Sequence, residues 1–523
     1  MNKIENLSEK QNQLLFWGCF AALAATSFGF IVRTQVIGDW GVEFGLSETE
    51  KGEIFGVGLW PFCISIILFS LIVDKIGYGI SMMIAFGLHV LSAVVTIFAD
   101  GYWMLYIGTF ILALGNGTVE AAINPVVATI YPKEKTKWMN ILHAGWPAGL
   151  VLGGILAILM GPQTGWEWKV ALVLIPVFIY GFVLYGREFP VQERVKAGVS
   201  YKDMLSEAGA LGFFLILYIV LLEINRVAGL SPLVEGELFS LPHISLTILL
   251  IVVSVAYYMY TESFGRPLFV ILLLIMVPLA TTELGTDSWI TELMVPFLGD
   301  NAGWVVVYTA LIMMVLRFYA GPIVHRISPL GLLALSSAIA LVGLVILSSA
   351  TGFMIFISAT IYGLGKTFFW PTMLGVAGER FPKGGALTLN AITGVGMLAA
   401  GVFGAAFLGN IQDKQIDRDL FEQNSAVHAK VMGNEKSSIF GDYKPIDQQK
   451  VNSLSTSEKS VISKIQTNAK QGALSTVAIF PAIMLVSYLG MMMYFRSIGG
   501  YKQIHLNEEE ISEGSIDTSD EEE

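Results

Sequence analysis

Ionisable side chains are scattered through the long apolar stretches of this sequence, and their residue types are those that carry charge or move protons. The set comprises Arg33, Glu120, His143, Glu283, Asp287, Arg317 and Lys366. A charge near the middle of a lipid bilayer costs about 2.5 to 3.5 kcal/mol even on a lenient insertion scale, so such residues are functional candidates by default. A carboxyl or imidazole group there can load and release a proton, whereas a guanidinium or ammonium group can hold an anion.

Helical spacing groups these residues with polar and aromatic neighbours, because side chains three or four positions apart lie on one face of a helix. The resulting pairs are Glu120 with Asn124, Asn140 with His143, Glu283 with Asp287, and Lys366 with Trp370. Three amide side chains can hydrogen-bond hydroxyl groups: Gln35, Asn124 and Asn140. The flat faces of Trp146 and Trp370 can stack on a sugar ring.

Each candidate also has a purely structural interpretation. Glu120 can form an ion pair with a buried base such as Arg33 or Lys366 instead of exchanging protons. His143 can serve packing through a hydrogen bond, and the remaining charged residues can neutralise one another. Arg317 lies near the end of its apolar stretch, close to the basic loop that follows, so we expect it to anchor that loop.

The composition places these residues in a membrane protein. Of 523 residues, 54% are hydrophobic and 14% are charged, whereas a soluble domain carries about 25% charged residues. The net charge of −11 arises mostly in residues 508–523, which hold nine acids and no base, so nothing indicates a nucleic-acid partner. Cys19 and Cys63 both fall inside apolar runs, so neither a disulfide framework, a metal site nor another cofactor is expected.

Apolar stretches of about 20 residues, the length of a membrane-spanning helix, recur along the chain. We count fourteen: six in residues 14–186, two in residues 211–260 and six in residues 267–496. The other predicted segments are an N-terminal segment (1–13), a polar linker (187–210), a long extracytoplasmic loop (410–471) and an acidic tail (497–523). The first stretch contains Arg33 and is too long for the core of a signal peptide, so we expect it to be retained as a helix.

Lysine and arginine in the short loops predict the orientation. With the N-terminus inside, the short inner loops hold twelve of these residues, whereas the outer ones hold essentially Lys51 and Lys169. We therefore expect both termini in the cytoplasm. We also expect a multi-pass, monomeric protein of a bacterial cytoplasmic (inner) membrane.

Three sequence features repeat at nearly one offset: residues 74–77 at 325–328, Pro132 and Asn140 at Pro382 and Asn390, and residues 115–117 at 363–365. The offsets are 251, 250 and 248 residues. A near-constant offset across separate segments indicates two copies of a six-helix half rather than chance similarity between apolar helices.

Two parallel six-helix halves are the layout of the major facilitator superfamily, which the sequence resembles across both halves. The loop Asp-Lys-x-Gly-Tyr-Gly at residues 74–79 looks like the superfamily's loop between helices two and three, with a weaker copy at 321–331. A more specific run, Gly-x-Gly-x-x-Glu-Ala-Ala-x-Asn-Pro at residues 115–125 followed by Asn140-x-x-His143, resembles the fucose permease-like sugar and proton symporters. The fold implied is an all-α membrane protein of two six-helix halves, with an inserted helix pair as in some fourteen-helix members.

The resemblance implies that the first, fourth, seventh and tenth helices line a central cavity, where the candidates would converge. The expected substrate-binding residues are Arg33, Gln35, Asn124, Asn140, His143, Glu283, Asp287, Lys366 and Trp370, and Glu120 is the expected proton-coupling group. At a rise of about 1.5 Å per residue, Arg33 and Glu283 are expected nearer the outer side than Glu120 and His143. Part of the set is then expected to gate rather than to bind.

These features predict a secondary active transporter, not an enzyme. It would take up a sugar or related small polar metabolite with a cation, a proton in preference to sodium, by alternating access. Arg33 stands where the resemblance would place an acid, so sugar specificity does not carry over intact. Arg33 and Lys366 also fit a carrier of a sugar acid or other organic anion. An alternative of another class is a non-transporting membrane sensor that uses the 410–471 segment and the acidic tail.

Overall fold

The structure is a computed structural model, and it describes residues 8–46, 54–161, 163–227, 241–287, 303–350, 352–401, 405–435 and 442–506. The predicted acidic run at 508–523 lies outside these residues.

The first half of the chain folds into a bundle of apolar helices joined by short turns. They are α1 (Glu9–Glu43), α2 (Trp60–Ile76), α3 (Tyr78–Ile97), α4 (Tyr102–Ile130), α5 (Lys135–Leu142), α6 (Gly145–Met160), α7 (Trp166–Ala171) and α8 (Leu174–Leu184). Ser8 begins α1 with a capping box. Its hydroxyl accepts from the Gln11 backbone N–H, and the Gln11 side-chain oxygen accepts from the Ser8 backbone N–H. Helix α1 packs against α6, and α3 packs against α4.

A short helix and a helix pair follow: α9 (Glu193–Lys196), α10 (Tyr201–Val227) and α11 (Leu241–Thr261). Helix α10 begins inside the segment predicted to be a polar linker, and it contains a non-helical residue at Gly209. The backbone segments at the base of the pair cross where Gly209, in α10, approaches Gly265, which follows α11. A Cβ on Gly209 would come within 1.9 Å of the Gly265 backbone nitrogen. Both glycines have positive φ, so this crossing requires glycine twice.

The second half repeats the bundle. Its elements are α12 (Pro267–Ala280) with a π-helical turn (Thr281–Gly285), α13 (Trp304–Phe318), α14 (Ala320–Val324), α15 (Pro329–Leu347), α16 (Met354–Lys366), α17 (Phe369–Arg380), α18 (Gly385–Ala399), α19 (Ala405–Gln423), α20 (Ser425–Val431), α21 (Gln448–Asn452), α22 (Thr456–Val477) and α23 (Ile479–Ser497). Helices α19 to α22 occupy most of the segment predicted to be a long loop, and their buried side chains form a small separate core around Leu420, Val431 and Ile462.

Within the described ranges, ten helices are long and apolar enough to cross a membrane, and two shorter apolar helices cover Thr247–Thr261 and Trp304–Phe318. The outward faces of these helices are apolar, with Phe182 86% exposed and Leu159 73% exposed. Such surfaces require a lipid environment. The all-α membrane fold is confirmed, whereas the count of fourteen spans stays a prediction.

The most extensive contacts between the two halves lie along three helix pairs: α2 with α18, α5 with α17, and α6 with α13, and α4 also packs against α18. Because consecutive helices run in opposite directions, the turns at Gly77, 131–134 and 381–384 lie at one end of the bundle, together with residues 498–506. We call this the basic end, because it carries most of the lysines and arginines of the short connections.

Candidate functional site

Arg317 lies at the centre of the contact between the halves. Its side chain is 1% exposed and makes three hydrogen bonds to three separate elements. Nη2 donates to Glu283 Oε1 at 2.9 Å, Nη1 donates to the His143 carbonyl at 2.8 Å, and Nε donates to the Thr367 carbonyl at 2.7 Å. The expectation that Arg317 anchors a loop is wrong, because the side chain turns into the bundle.

Helix interruptions provide the two carbonyl acceptors. Helix α5 ends at Leu142 and α6 begins at Gly145, so the carbonyl of His143 lies at the break. Helix α16 ends at Lys366 and α17 begins at Phe369, which places Thr367 at a second break. Carbonyls at such breaks need partners other than the next helical turn. Arg317 therefore satisfies backbone groups of both halves with one guanidinium.

Glu283 is positioned by an irregular turn of the seventh span. Pro278 lies inside α12 and lacks a backbone N–H, and the helix widens into the π-helical turn Thr281–Gly285 directly after it. The Thr282 hydroxyl donates to the Pro278 carbonyl at 2.7 Å, and the Tyr362 hydroxyl donates to the Thr282 carbonyl. The Glu283 side chain is 4% exposed and faces Arg317.

Glu120 on α4 is connected to the contact between the two halves through the amide side chains of asparagines. It is 4% exposed, and its Oε2 accepts from Asn124 Nδ2 at 3.4 Å. Asn124 Oδ1 in turn accepts from His143 Nε2 at 3.2 Å, while Asn124 Nδ2 also reaches Asn390 Oδ1 at 3.4 Å. Among the described residues, no cation lies within ion-pair distance of Glu120. The path Glu120, Asn124, His143, Arg317, Glu283 thus runs from the first half into the second, and we call it the central network.

Two further amides tie the halves together beside the central network. Asn140 Nδ2 donates to the Thr372 hydroxyl on α17 at 3.2 Å, and Asn140 Oδ1 has no partner among the described residues. Asn390 Nδ2 donates to the Ser70 hydroxyl at 2.8 Å and to the Ala121 carbonyl at 3.1 Å. Asn390 was recognised only as a member of the repeat, although that repeat pairs it with Asn140, a predicted site residue.

Lys366 and Asp287 form a second buried ion pair between α16 and the seventh span. Lys366 is 1% exposed and also lies over the Tyr362 ring at 5.3 Å. The pair leaves neither residue available to Glu120. Trp370, one turn beyond Lys366, is buried with its ring edge against Gly396 on α18, which is a packing position.

Arg33 and Gln35 lie on α1, and among the described residues neither one bonds to the central network. The Arg33 side chain is buried against the rings of Phe55 and Phe30, with Cζ 4.8 Å from the Phe55 centroid. Its Nε and Nη1 have no hydrogen-bond partner among the described residues. Gln35 is half-buried with its amide close to Gly303, at the start of α13. The predicted single cluster is therefore divided, and Glu283 belongs with His143 rather than with Arg33.

The basic end of the bundle is closed by a third group of contacts, which no motif or spacing in the sequence indicates. The Glu379 carboxylate accepts from the Thr136 hydroxyl at 2.5 Å and from the Tyr501 hydroxyl at 2.8 Å. Gln503 Nε2 donates to the Pro132 carbonyl at 2.6 Å. Burial raises the pKa of the Tyr501 phenol well above its ordinary value, so the group stays protonated and donates. Residues 498–506 thus hold both halves together at this end, and we call them the C-terminal strap.

Two helical halves that enclose buried ion pairs, broken helices and a polar path across their contact define a polytopic membrane transporter. The sequence model of the Major Facilitator Superfamily matches residues 14–405. The chain belongs to this superfamily, and it is a transporter rather than an enzyme.

Two curated relatives match parts of the chain. A protein TsgA homolog of Buchnera aphidicola is 24% identical over 40% of this chain and 55% of its own length. The cis,cis-muconate transport protein of Acinetobacter baylyi is 23% identical over 32% of this chain and 41% of its own length. The chain spans about half the length of the curated relatives it matches.

Solved structures share the fold over nearly the whole chain. The proton:xylose symporter XylE superposes with a TM-score of 0.61 at 12% identity, covering 97% of this chain and all of the other. The fucose:proton symporter FucP of E. coli superposes with a TM-score of 0.51 at 14% identity, covering 89% of this chain and 98% of the other. The expected resemblance to sugar symporters of this superfamily is confirmed at the level of fold.

Proposed function

We propose that this transporter is a proton-coupled symporter that takes up a sugar or related small polar metabolite by alternating access of its two halves. In this proposal both termini lie in the cytoplasm, so the basic end faces the cytoplasm of a bacterial cell. The proposal rests on one observation above all: Glu120 is a buried carboxyl group whose partner within the described residues is an amide and not a cation.

Protonation of Glu120 changes the charge of the contact between the halves. The carboxylates of Glu283 and Asp287 already have basic partners, so their charges are compensated within the protein. The charge of Glu120 has no such compensation among the described residues. Because Glu120 connects to Asn124 and through it to both halves, a proton bound there alters the same hydrogen bonds that must rearrange when the halves rock.

A polar, uncharged substrate suits the neighbouring groups. Asn140 Oδ1 is an acceptor that no described residue uses, and Asn124 and His143 offer both donor and acceptor atoms near the break between α5 and α6. Hydroxyl groups pair with such side chains as both donor and acceptor. The similarity to symporters of xylose and fucose supports the same substrate class.

The first test is the thermal stability of the purified protein with neutral sugars, sugar acids, amino acids and nucleosides, since a ligand of the folded state raises Tm by mass action. We expect stabilisation by a neutral sugar. The second test places the protein in liposomes with an internal pH dye, where adding that sugar outside is expected to acidify the interior. Sugar entry without proton entry, or stabilisation by carboxylates alone, would overturn the proposal.

Arg33 favours a second candidate function, transport of a sugar acid or other organic anion. Its guanidinium is buried without a carboxylate partner among the described residues, and such a group binds carboxylates in a bidentate manner. The muconate transport protein among the relatives carries a dicarboxylate by its name. If this function holds, hexuronates block uptake, neutral hexoses do not, and Arg33→Gln abolishes the block while Arg187→Gln, an exposed matched change, leaves it intact.

A further inference from the structure

A cavity of about 870 Å³ opens at the basic end, on the outside of the second half. Its walls are the first turns of α12, the last turns of α23 and the connection from α17 to α18. The end of the C-terminal strap, residues 504–506, closes one side. This volume is in the range of cavities that hold small organic ligands, and the central network is not part of it.

Basic groups outnumber acidic ones in this cavity. The lining contains Arg266, Arg380, Lys383 and His505 against a single carboxylate, Glu207. Arg266 Nε donates to Glu207 Oε1 at 3.1 Å, so these two compensate each other.

Of the three remaining bases, Arg380 and Lys383 have no carboxylate partner among the described residues. Among the described residues, neither Arg380 nor Lys383 forms an ion pair, and Arg380 Nε is buried without a hydrogen-bond partner. Arg380 is held in place by Phe495 and Tyr501, since its Cζ lies 4.9 Å and 5.9 Å from their ring centroids. The cavity therefore presents a fixed cation and an exposed one, a combination that favours an anionic group such as a phosphate.

Apart from Ser487, the rest of the lining is mainly apolar and continues onto the lipid-facing surface. Ile271 on α12 is 43% exposed and Tyr494 on α23 is 55% exposed, and Leu268 and Met491 lie beside them. These side chains lead away from the basic groups along the two helices. A ligand that fills the whole cavity must combine an anionic head with hydrocarbon chains that run along a membrane-facing wall.

We infer that this cavity binds an anionic phospholipid, with its phosphate between Arg380 and Lys383 and its acyl chains along α12 and α23. Basic pockets between membrane helices on the cytoplasmic side recognise such head groups. A soluble anion would pair with the basic groups but would leave the apolar part of the cavity unfilled. The acidic residues that follow Leu506 in sequence are a competing anionic ligand to be tested, one without acyl chains, and the experiment separates all three.

The experiment measures lipid binding to the full chain by native mass spectrometry after delipidation in neutral detergent. Phosphatidylglycerol is compared with phosphatidylcholine of the same acyl chains and with glycerol phosphate. Lys383→Gln is the test variant, because Lys383 is exposed and its side chain forms no ion pair among the described residues. Lys133→Gln, an exposed lysine at the same end and outside the cavity, is the matched control. We expect phosphatidylglycerol to bind about fivefold more weakly to Lys383→Gln and unchanged to Lys133→Gln.

Three results would overturn the inference. Equal binding of phosphatidylglycerol and phosphatidylcholine would mean that the net charge of the lipid head group does not contribute to binding. Binding of glycerol phosphate as tight as that of phosphatidylglycerol assigns the cavity to a soluble anion. Phosphatidylglycerol binding that rises when Glu508, Glu509 and Glu510 are all changed to Gln assigns it to the protein's own acidic segment, whereas unchanged binding supports the lipid.

Discussion

Asn140 and Asn390 make corresponding contacts across the two halves. Asn140 in the first half donates its amide to Thr372 on α17, and Asn390 in the second half donates to Ala121 on α4. The two asparagines are 250 residues apart, and Thr372 is 251 residues from Ala121. The offset found in the sequence is therefore a spatial repeat, in which each half holds the other with the same residue type.

The repeated amides are not equally important for stability. Asn390 contacts Ser70, Ala121 and Asn124, whereas Asn140 reaches the other half only through Thr372 among the described residues. We expect Asn390→Ala to lower the free energy of unfolding by about 2 kcal/mol and Asn140→Ala by about 1 kcal/mol. Chemical denaturation in detergent measures both, with exposed Asn452→Ala as the control. A larger loss for Asn140→Ala would contradict this ranking.

Arg317 is expected to be the most sensitive residue of the central network. Arg317→Gln leaves Glu283 charged and buried without its partner and frees the carbonyls of His143 and Thr367. Breaking a buried ion pair from one side costs about 3 to 5 kcal/mol, so Tm should fall sharply. Adding Glu283→Gln should recover part of this loss, because the uncompensated charge is then removed. If Arg317→Gln alone were as stable as the control Arg187→Gln, Arg317 would not be the most sensitive residue of the central network.

The sequence predicts the bundle better than it predicts the network. Apolar length, loop charge and a constant repeat offset indicate two six-helix halves. The first two signals are visible in the sequence because a bilayer requires long apolar helices and favours basic residues in cytoplasmic loops. Arg317 escapes the same reasoning because two of its three acceptors are the carbonyls of His143 and Thr367 at helix breaks, which apolar stretches do not reveal.

The seventh span shows a second limit of spacing arguments. Glu283 and Asp287 are four residues apart and were expected to share one face and one role. The π-helical turn at Thr281–Gly285 changes the helical phase there, and the two carboxylates bind different bases. Regular periodicity predicts the face only where the helix is regular.

Gly209 is expected to tolerate no side chain at the base of the inserted pair. Gly209→Ala combines a positive φ of 61° with a Cβ position 1.9 Å from the Gly265 nitrogen, so the backbone must move. We expect a loss of about 3 kcal/mol from overpacking and backbone strain together. Gly186→Ala, with a φ of 66° and no atom within 4 Å, separates the two effects. Equal losses for both variants would mean that the close approach does not matter.

Tyr501 is expected to stabilise the closed basic end. Tyr501→Phe removes the hydroxyl that donates to Glu379 at 2.8 Å and keeps the ring beside Arg380. Loss of one hydrogen bond to a carboxylate is expected to raise the population open at this end about fivefold. Distances between spin labels at Lys133 and Arg326, one in each half, report the change. Tyr185→Phe, whose ring is largely exposed, should leave the distribution unaltered.

Glu120→Gln is expected to separate movement of the substrate from its accumulation. The amide side chain has nearly the same size and still accepts from Asn124, so the central network keeps its geometry. It cannot bind a proton, however, and a symporter without its coupling group equilibrates substrate without concentrating it. Proteoliposomes with an imposed pH gradient measure accumulation, and exchange of labelled for unlabelled substrate measures movement. Glu188→Gln, a matched change in an exposed loop, should retain both activities. Full accumulation by Glu120→Gln would show that the proton binds elsewhere, whereas loss of exchange as well would assign Glu120 to substrate binding.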